Sequence, residues 1–135
     1  MLRIASLAFL LVAAGPAYAI DMCSGGNREA RKVTCIVDGD TGWYRGSKWR
    51  LLDIDTPEYA PHAECPAETV TAAQSTERMR DLMRGGYVIE DSGRADRNGR
   101  ALVTIRIPDG RDAGRVLVEE GLAVVWPHEP GIWCR

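Results

Sequence analysis

The chain has 135 residues, 45% of them hydrophobic and 27% charged, with 17 basic side chains against 19 acidic ones. That is enough for one modest core, and too apolar for a disordered segment. The formal charge of −2 excludes a broad basic face, so any contact with a polyanion must come from a local arginine cluster.

Residues 1–19, MLRIASLAFLLVAAGPAYA, have an early cation in Arg3, an apolar run from Ile4 to Ala14, and a small-x-small close at Ala17-Tyr18-Ala19. This is the pattern of a cleaved signal peptide, and its apolar run is short for a bilayer span. Loss of Arg3 would leave a mature chain from Ile20 with a formal charge of −3. The expected location is secreted or periplasmic, with no membrane anchor left after cleavage. Residues 20–32 are polar and glycine-containing and read as a leader loop.

The four cysteines, Cys23, Cys35, Cys65 and Cys134, all follow that segment. An even count in an exported chain implies two disulfides, with three connectivities. The preferred pairing is Cys23 with Cys35, closing a short loop, and Cys65 with Cys134, pinning the tail. A zinc site of His62 and Cys65 with Cys35, His128 or Cys134 is the weaker alternative, because no CxxC pair is present.

Strands are expected over residues 33–37, 42–46 and 47–54, with a hairpin turn at Gly46-Ser47. Pro57, Pro61 and Pro66 exclude regular structure over residues 55–66. Pro66 suits the first turn of a helix over 67–84, with Val70, Ala73, Met79, Leu82 and Met83 as its apolar stripe and Gly85-Gly86 as its stop. Strands follow at 87–91 and 101–107, separated by a polar turn over 92–100. A second helix over 113–122 is capped by Asp112, and residues 123–126 read as a short extended piece. The class is α+β, mainly β: a five-stranded Greek-key barrel of the OB type with two helices over residues 33–126, then a tail, 127–135, tied by a cysteine. No coiled-coil pattern appears, so a monomer is expected.

Charges interrupt these strands. Asp38-Gly39-Asp40-Thr41 sets two carboxylates on one turn, and Arg50 is followed by Asp55 at five residues and Glu58 at eight. Asp40, Asp55 and the carbonyls around Thr56 offer hard oxygen ligands suited to Ca²⁺, leaving Glu58 to act on water. Asp53 has no role in this scheme and reads as a solvated or ion-paired strand residue. Asp96-Arg97-Asn98-Gly99-Arg100 presents a guanidinium whose planar fork suits phosphate. A cation, two arginines and a carboxylate together meet the needs of phosphodiester hydrolysis. Trp43, Tyr44, Trp49 and Trp126 are expected as core or barrel-face residues.

VDGDT, RLLDIDTPE, DRNGRAL and LVEEGLA occur in the order and at about the spacing of the staphylococcal nuclease family, which this chain resembles from about Val33 to Trp126. The resemblance implies an OB-fold enzyme that cleaves DNA and RNA with Ca²⁺, leaving 3′-phosphate and 5′-hydroxyl ends. It implies Asp40 and Asp55 as calcium carboxylates, the Thr56 carbonyl as a further ligand and Asp38 as the outer acid. Glu58 would be the general base or water-positioning residue, and Arg50 and Arg100 the catalytic, phosphate-binding arginines. The chain departs from the family in its acidic charge, in Asn98 where a tyrosine is usual, and around Trp126-Pro127-His128, where tyrosines wall the nucleotide pocket. A short tail also replaces a long C-terminal helix. The alternative is a non-catalytic OB module that binds nucleic acid or protein, expected to have lost at least one of Arg50, Glu58 and Arg100. A disulfide-stapled envelope scaffold is the third class, favoured only by the acidic charge.

Overall fold

A computed structural model describes residues 19–135, so the expected signal segment lies outside the described residues except for Ala19. The elements are β1 (Cys35–Ile36), β2 (Thr41–Tyr44), β3 (Ser47–Leu51), β4 (Ile54–Asp55), α1 (Pro66–Met83), β5 (Val88–Ala95), β6 (Ala101–Arg106), α2 (Ala113–Glu119) and β7 (Val124–Val125), closed by a 3₁₀ turn at Ile132–Cys134. Five strands form one sheet in the order β1-β2-β3-β6-β5, and β4 and β7 form a second. All pairs are antiparallel except β3 with β6, which run parallel. The α+β, mainly β class expected from the sequence holds.

Three local expectations change. The β2–β3 hairpin turns at Arg45-Gly46 rather than at Gly46-Ser47: φ is 48° and 86° there, and Tyr44 pairs with Ser47. Two positive φ values make the primed turn whose twist matches the flanking strands. The strand expected over 47–54 is broken, because Asp53 takes φ 61°. A short polar side chain tolerates this left-handed conformation where a branched one would not. Asp53 is therefore a turn residue, and its carbonyl accepts the Trp126 N–H at 3.0 Å. The kink lets β4 leave the main sheet and pair with β7, Ile54 opposite Val125 and Asp55 opposite Val124. Finally, β5 runs on to Ala95 with an irregularity in register after Asp91, so the polar turn shrinks to residues 96–100.

The core gathers Ile36, Trp49, Leu51, Ile54, Val103 and Ile105 from the sheets with Met79, Leu82, Val116 and Leu117 from the helices. Each such side chain contributes roughly 1.5–3 kcal/mol on burial. The inward face of α1 differs from the expected stripe: it presents Glu68, Ala72, Ser75, Thr76, Met79, Leu82 and Met83, while Val70 is 61% exposed. Only the C-terminal half of α1 meets the apolar core. Its N-terminal half packs on the polar loop that follows β4, and polar residues face it there. Asp112 caps α2 by accepting the N–H groups of Gly114 and Arg115.

Cys23 is joined to Cys35 and Cys65 to Cys134. The first bond ties the leader to β1, and the second ties the start of α1 to the C-terminal tail. No cysteine is free, which leaves no thiolate for zinc. Among the described residues no helix is long and apolar enough to cross a membrane.

Candidate active site

The turn before β2 places Asp40 inside the protein, where it is 1% exposed. Its Oδ2 accepts the Thr56 N–H at 3.0 Å and its Oδ1 accepts the Thr41 hydroxyl at 2.8 Å. Gly39 permits this close approach. A Cβ there would collide with Ser75 Oγ and lie 3.0 Å from Thr56 Cγ2. Asp38 folds back to accept the Asp40 N–H at 3.2 Å. Burial first, then the negative charges of Asp40 and Glu58, push Asp38 up to about 8 from 3.8.

Arg50, on β3, reaches across both acidic segments. Its Nη1 lies 3.3 Å from Asp40 Oδ2 and its Nη2 3.0 Å from Asp55 Oδ1. Burial opposes its charge, but Asp40 and Asp55 outweigh that and hold Arg50 above its ordinary value. The sequence assigns Arg50 to phosphate; in the fold it also bridges the two acids. The second oxygen of Asp55 lies 2.6 Å from His128 Nε2.

Glu58 follows the fully buried Pro57 and has its own N–H bound by Glu68 Oε1 at 3.0 Å. Burial, then the charges of Asp40 and Asp55, raise Glu58 above its ordinary value, with Arg50 opposing. That moves the carboxylate toward the range in which it can take and return a proton. Arg100 leaves the 96–100 turn with its Nε 2.6 Å from Asp96 Oδ2. Burial favours the neutral form of Asp96, yet hydrogen bonds from Arg100's backbone and guanidinium, and from the Asn98 backbone, hold it below 3.8.

These groups meet at one cleft of about 590 Å³, lined by Arg50, Asp55, Glu58, Asp96, Arg97, Asn98, Arg100 and Trp126. Of the residues singled out in the sequence, Arg50, Asp55, Glu58 and Arg100 line it, while Asp38, Asp40 and Thr56 lie behind it. A larger cleft of about 690 Å³ between residues 25–30 and Trp43 holds none of them. Of the tryptophans expected in the core or on the barrel face, Trp49 is a core residue at 3% exposed, whereas Trp126 is 55% exposed and rims the cleft.

Sequence reasoning missed His128 and Glu68. The sequence offers His128 as a zinc ligand or as a departure in the pocket wall, and nothing local predicts its meeting with Asp55, 73 positions away. Glu68 did carry a signal. It stands three residues after Cys65, where a capping-box acid belongs, but the cysteine hides the motif.

Whether these residues suit a cation can be judged from their chemistry. Among the described residues no three His, Cys, Asp or Glu side chains converge as a ready-made metal group. The surroundings are nevertheless anionic: Asp40 and Asp55 both face the one Arg50 guanidinium, and burial, then the charges of Asp40 and Glu58, raise Asp38. The buried Thr56 hydroxyl has no hydrogen-bond partner beside them. Hard oxygens in charge excess fit a hard divalent cation.

The family profile described as staphylococcal nuclease homologue matches residues 48–130, more than half of the chain. The chain belongs to this family. No curated protein matches it. The matched span of this staphylococcal nuclease homologue holds Arg50, Asp55, Thr56, Glu58 and Arg100, whereas Asp38 and Asp40 precede it. As a member of a nuclease family it has nucleic acid as its expected class of substrate.

Proposed function

We propose that this protein is an exported, Ca²⁺-dependent nuclease that hydrolyses phosphodiester bonds of DNA, RNA or both to 3′-phosphate and 5′-hydroxyl ends. The observation that carries the reading is the meeting of Arg50, Glu58 and Arg100 at one cleft above an anionic cluster. Asp40, Asp55 and the Thr56 carbonyl would hold the ion, with Asp38 outside them. When bound, Ca²⁺ would supply positive charge against the phosphate and draw Asp38 into its ionised form.

The chain's own groups then divide the work. Arg50 and Arg100 bind the non-bridging phosphate oxygens and offset charge growing on phosphorus. Glu58 aligns a water molecule for attack and takes its proton. The P–O5′ bond breaks, the 5′ oxygen takes up a proton from solvent to become the hydroxyl, and the phosphate stays on the 3′ side. Two disulfides suit an oxidising compartment, in keeping with a signal peptide over residues 1–19 and a secreted or periplasmic location.

The test is cleavage of single-stranded DNA by the refolded mature protein with Ca²⁺ or with a chelator, beside Glu58→Gln. Cutting that needs the metal and falls in the variant is expected. An inert wild type that still binds the strand would replace the enzyme with a binding module. A variant as fast as wild type would remove Glu58 from the chemistry.

A further inference from the structure

We infer that Glu68 is a positioning residue for Glu58, fixing the backbone of the loop between β4 and α1 so that the Glu58 carboxylate faces the cleft. The catalytic half of this inference rests on the nuclease reading above.

Glu68 is 4% exposed, yet no salt bridge to it occurs among the described residues. A carboxylate buried without a counter-charge is costly unless its oxygens are hydrogen-bonded. Here both are: Oε1 accepts the Glu58 N–H at 3.0 Å and Oε2 the Glu64 N–H at 2.6 Å. Its place in the first turn of α1 adds the favourable field of a helix N-terminus. Glu68 thus binds the loop at two points six residues apart. A third anchor is the Tyr59 hydroxyl, which donates to Thr76 Oγ1 at 3.0 Å.

Two backbone N–H groups converging on one side chain require an acceptor at each arm. Among side chains of this size only a carboxylate offers that. Glutamine has nearly the same shape but must turn its amide nitrogen toward one of the two N–H groups, so Glu68→Gln opposes donor to donor while filling the same space. The first residue so released is either the proposed water-activating acid or the residue that precedes Cys65.

The experiment measures kcat and KM on a single-stranded DNA oligonucleotide with Ca²⁺ for wild type, Glu68→Gln, Glu58→Gln and the double variant. It adds amide hydrogen exchange on the metal-free proteins. Glu68→Gln should lower kcat about 10- to 100-fold with KM within about two-fold, since small misplacement of a reacting group costs rate and not binding. In the Glu58→Gln background the same change should cost nothing further, because Glu68 acts through Glu58. Exchange protection should fall at the Glu58 or Glu64 amide and stay unchanged in β6. An equal loss in both backgrounds, a raised KM with intact kcat, or unaltered protection at both amides would overturn the inference. If wild type does not cut, or Glu58→Gln cuts as fast, it is the nuclease reading that fails, and exchange alone then decides whether Glu68 holds the loop.

Discussion

The imidazole of His128 is clamped between two acceptors, with Nε2 2.6 Å from Asp55 Oδ2 and Nδ1 2.8 Å from the Glu129 carbonyl oxygen. Both ring nitrogens are satisfied as donors only when the ring is charged. The bond to Asp55, then that to Glu129, raise His128 above 6.5. A raised histidine contributes stability that is full below its unfolded value and lost as the pH climbs through its folded one. The advantage in melting temperature of metal-free wild type over His128→Gln should therefore be largest below pH 6.5 and fade above it. Melting curves across that range check this; an advantage that grows with pH would mean that the ring is neutral and serves only to pack.

How much of this was legible beforehand depends on the range of each interaction. The Asp112 cap, Pro66 at the helix start and the β2–β3 hairpin rest on neighbours in sequence, and both helices formed close to where they are expected while the hairpin turn moved by one residue. Arg50, Glu58 and Arg100 stand out in the sequence by chemical type and motif, and the fold brings all three to one cleft. Asp53 was misread because alternation favours a strand there, and only pairing of β4 with β7 shows why the chain must turn. Val70 joins the expected apolar stripe of α1 by helical spacing, yet it is exposed. The polar loop under the first turns of α1 reverses that expectation. The disulfide that holds the tail was expected from the cysteines, but the Asp53 carbonyl that binds Trp126 and the His128–Asp55 contact are encoded by no local pattern.

Asp38 links calcium to pH on the proposed reading. With a folded value of about 8 against an ordinary 3.8, the metal-free protein holds a proton that the unfolded chain has released. Its stability should accordingly fall as pH rises through that window. Bound Ca²⁺ favours the ionised carboxylate, so the rise in melting temperature produced by Ca²⁺ should grow with pH until about 8. Asp38→Asn should flatten this dependence. A calcium effect that is independent of pH in wild type would place Asp38 outside the ion's field.

Asp96 and Arg100 act as one unit. The carboxylate accepts the Arg100 backbone N–H at 3.0 Å as well as its Nε, which leaves the terminal nitrogens of the guanidinium for substrate. Arg100→Ala should lower kcat about 100- to 1,000-fold, the usual effect of deleting a donor to developing charge. Arg100→Lys should recover little of it, because an ammonium lacks the fork and cannot use Asp96 as its hinge. Asp96→Asn should fall between Arg100→Ala and wild type. Steady-state kinetics on single-stranded DNA check the order; full activity in Arg100→Lys would reduce Arg100 to a simple positive charge.

The two disulfides should differ both in stability and in their effect on the site. Cys65 and Cys134 are 69 residues apart in sequence, Cys23 and Cys35 only 12. Constraint of the unfolded chain grows with loop length, giving roughly 4 kcal/mol for the longer closure and about 3 kcal/mol for the shorter. Replacing Cys65 and Cys134 with serine should thus lower stability to denaturant by the larger amount. The long closure also joins the end of the Glu58 loop to the tail bearing His128, whereas the short one lies on the leader. Only the Cys65/Cys134 variant should lose calcium affinity and raise KM under conditions where it remains folded. Equal losses of calcium affinity in both variants would show that the tail closure has no privileged connection to the cleft.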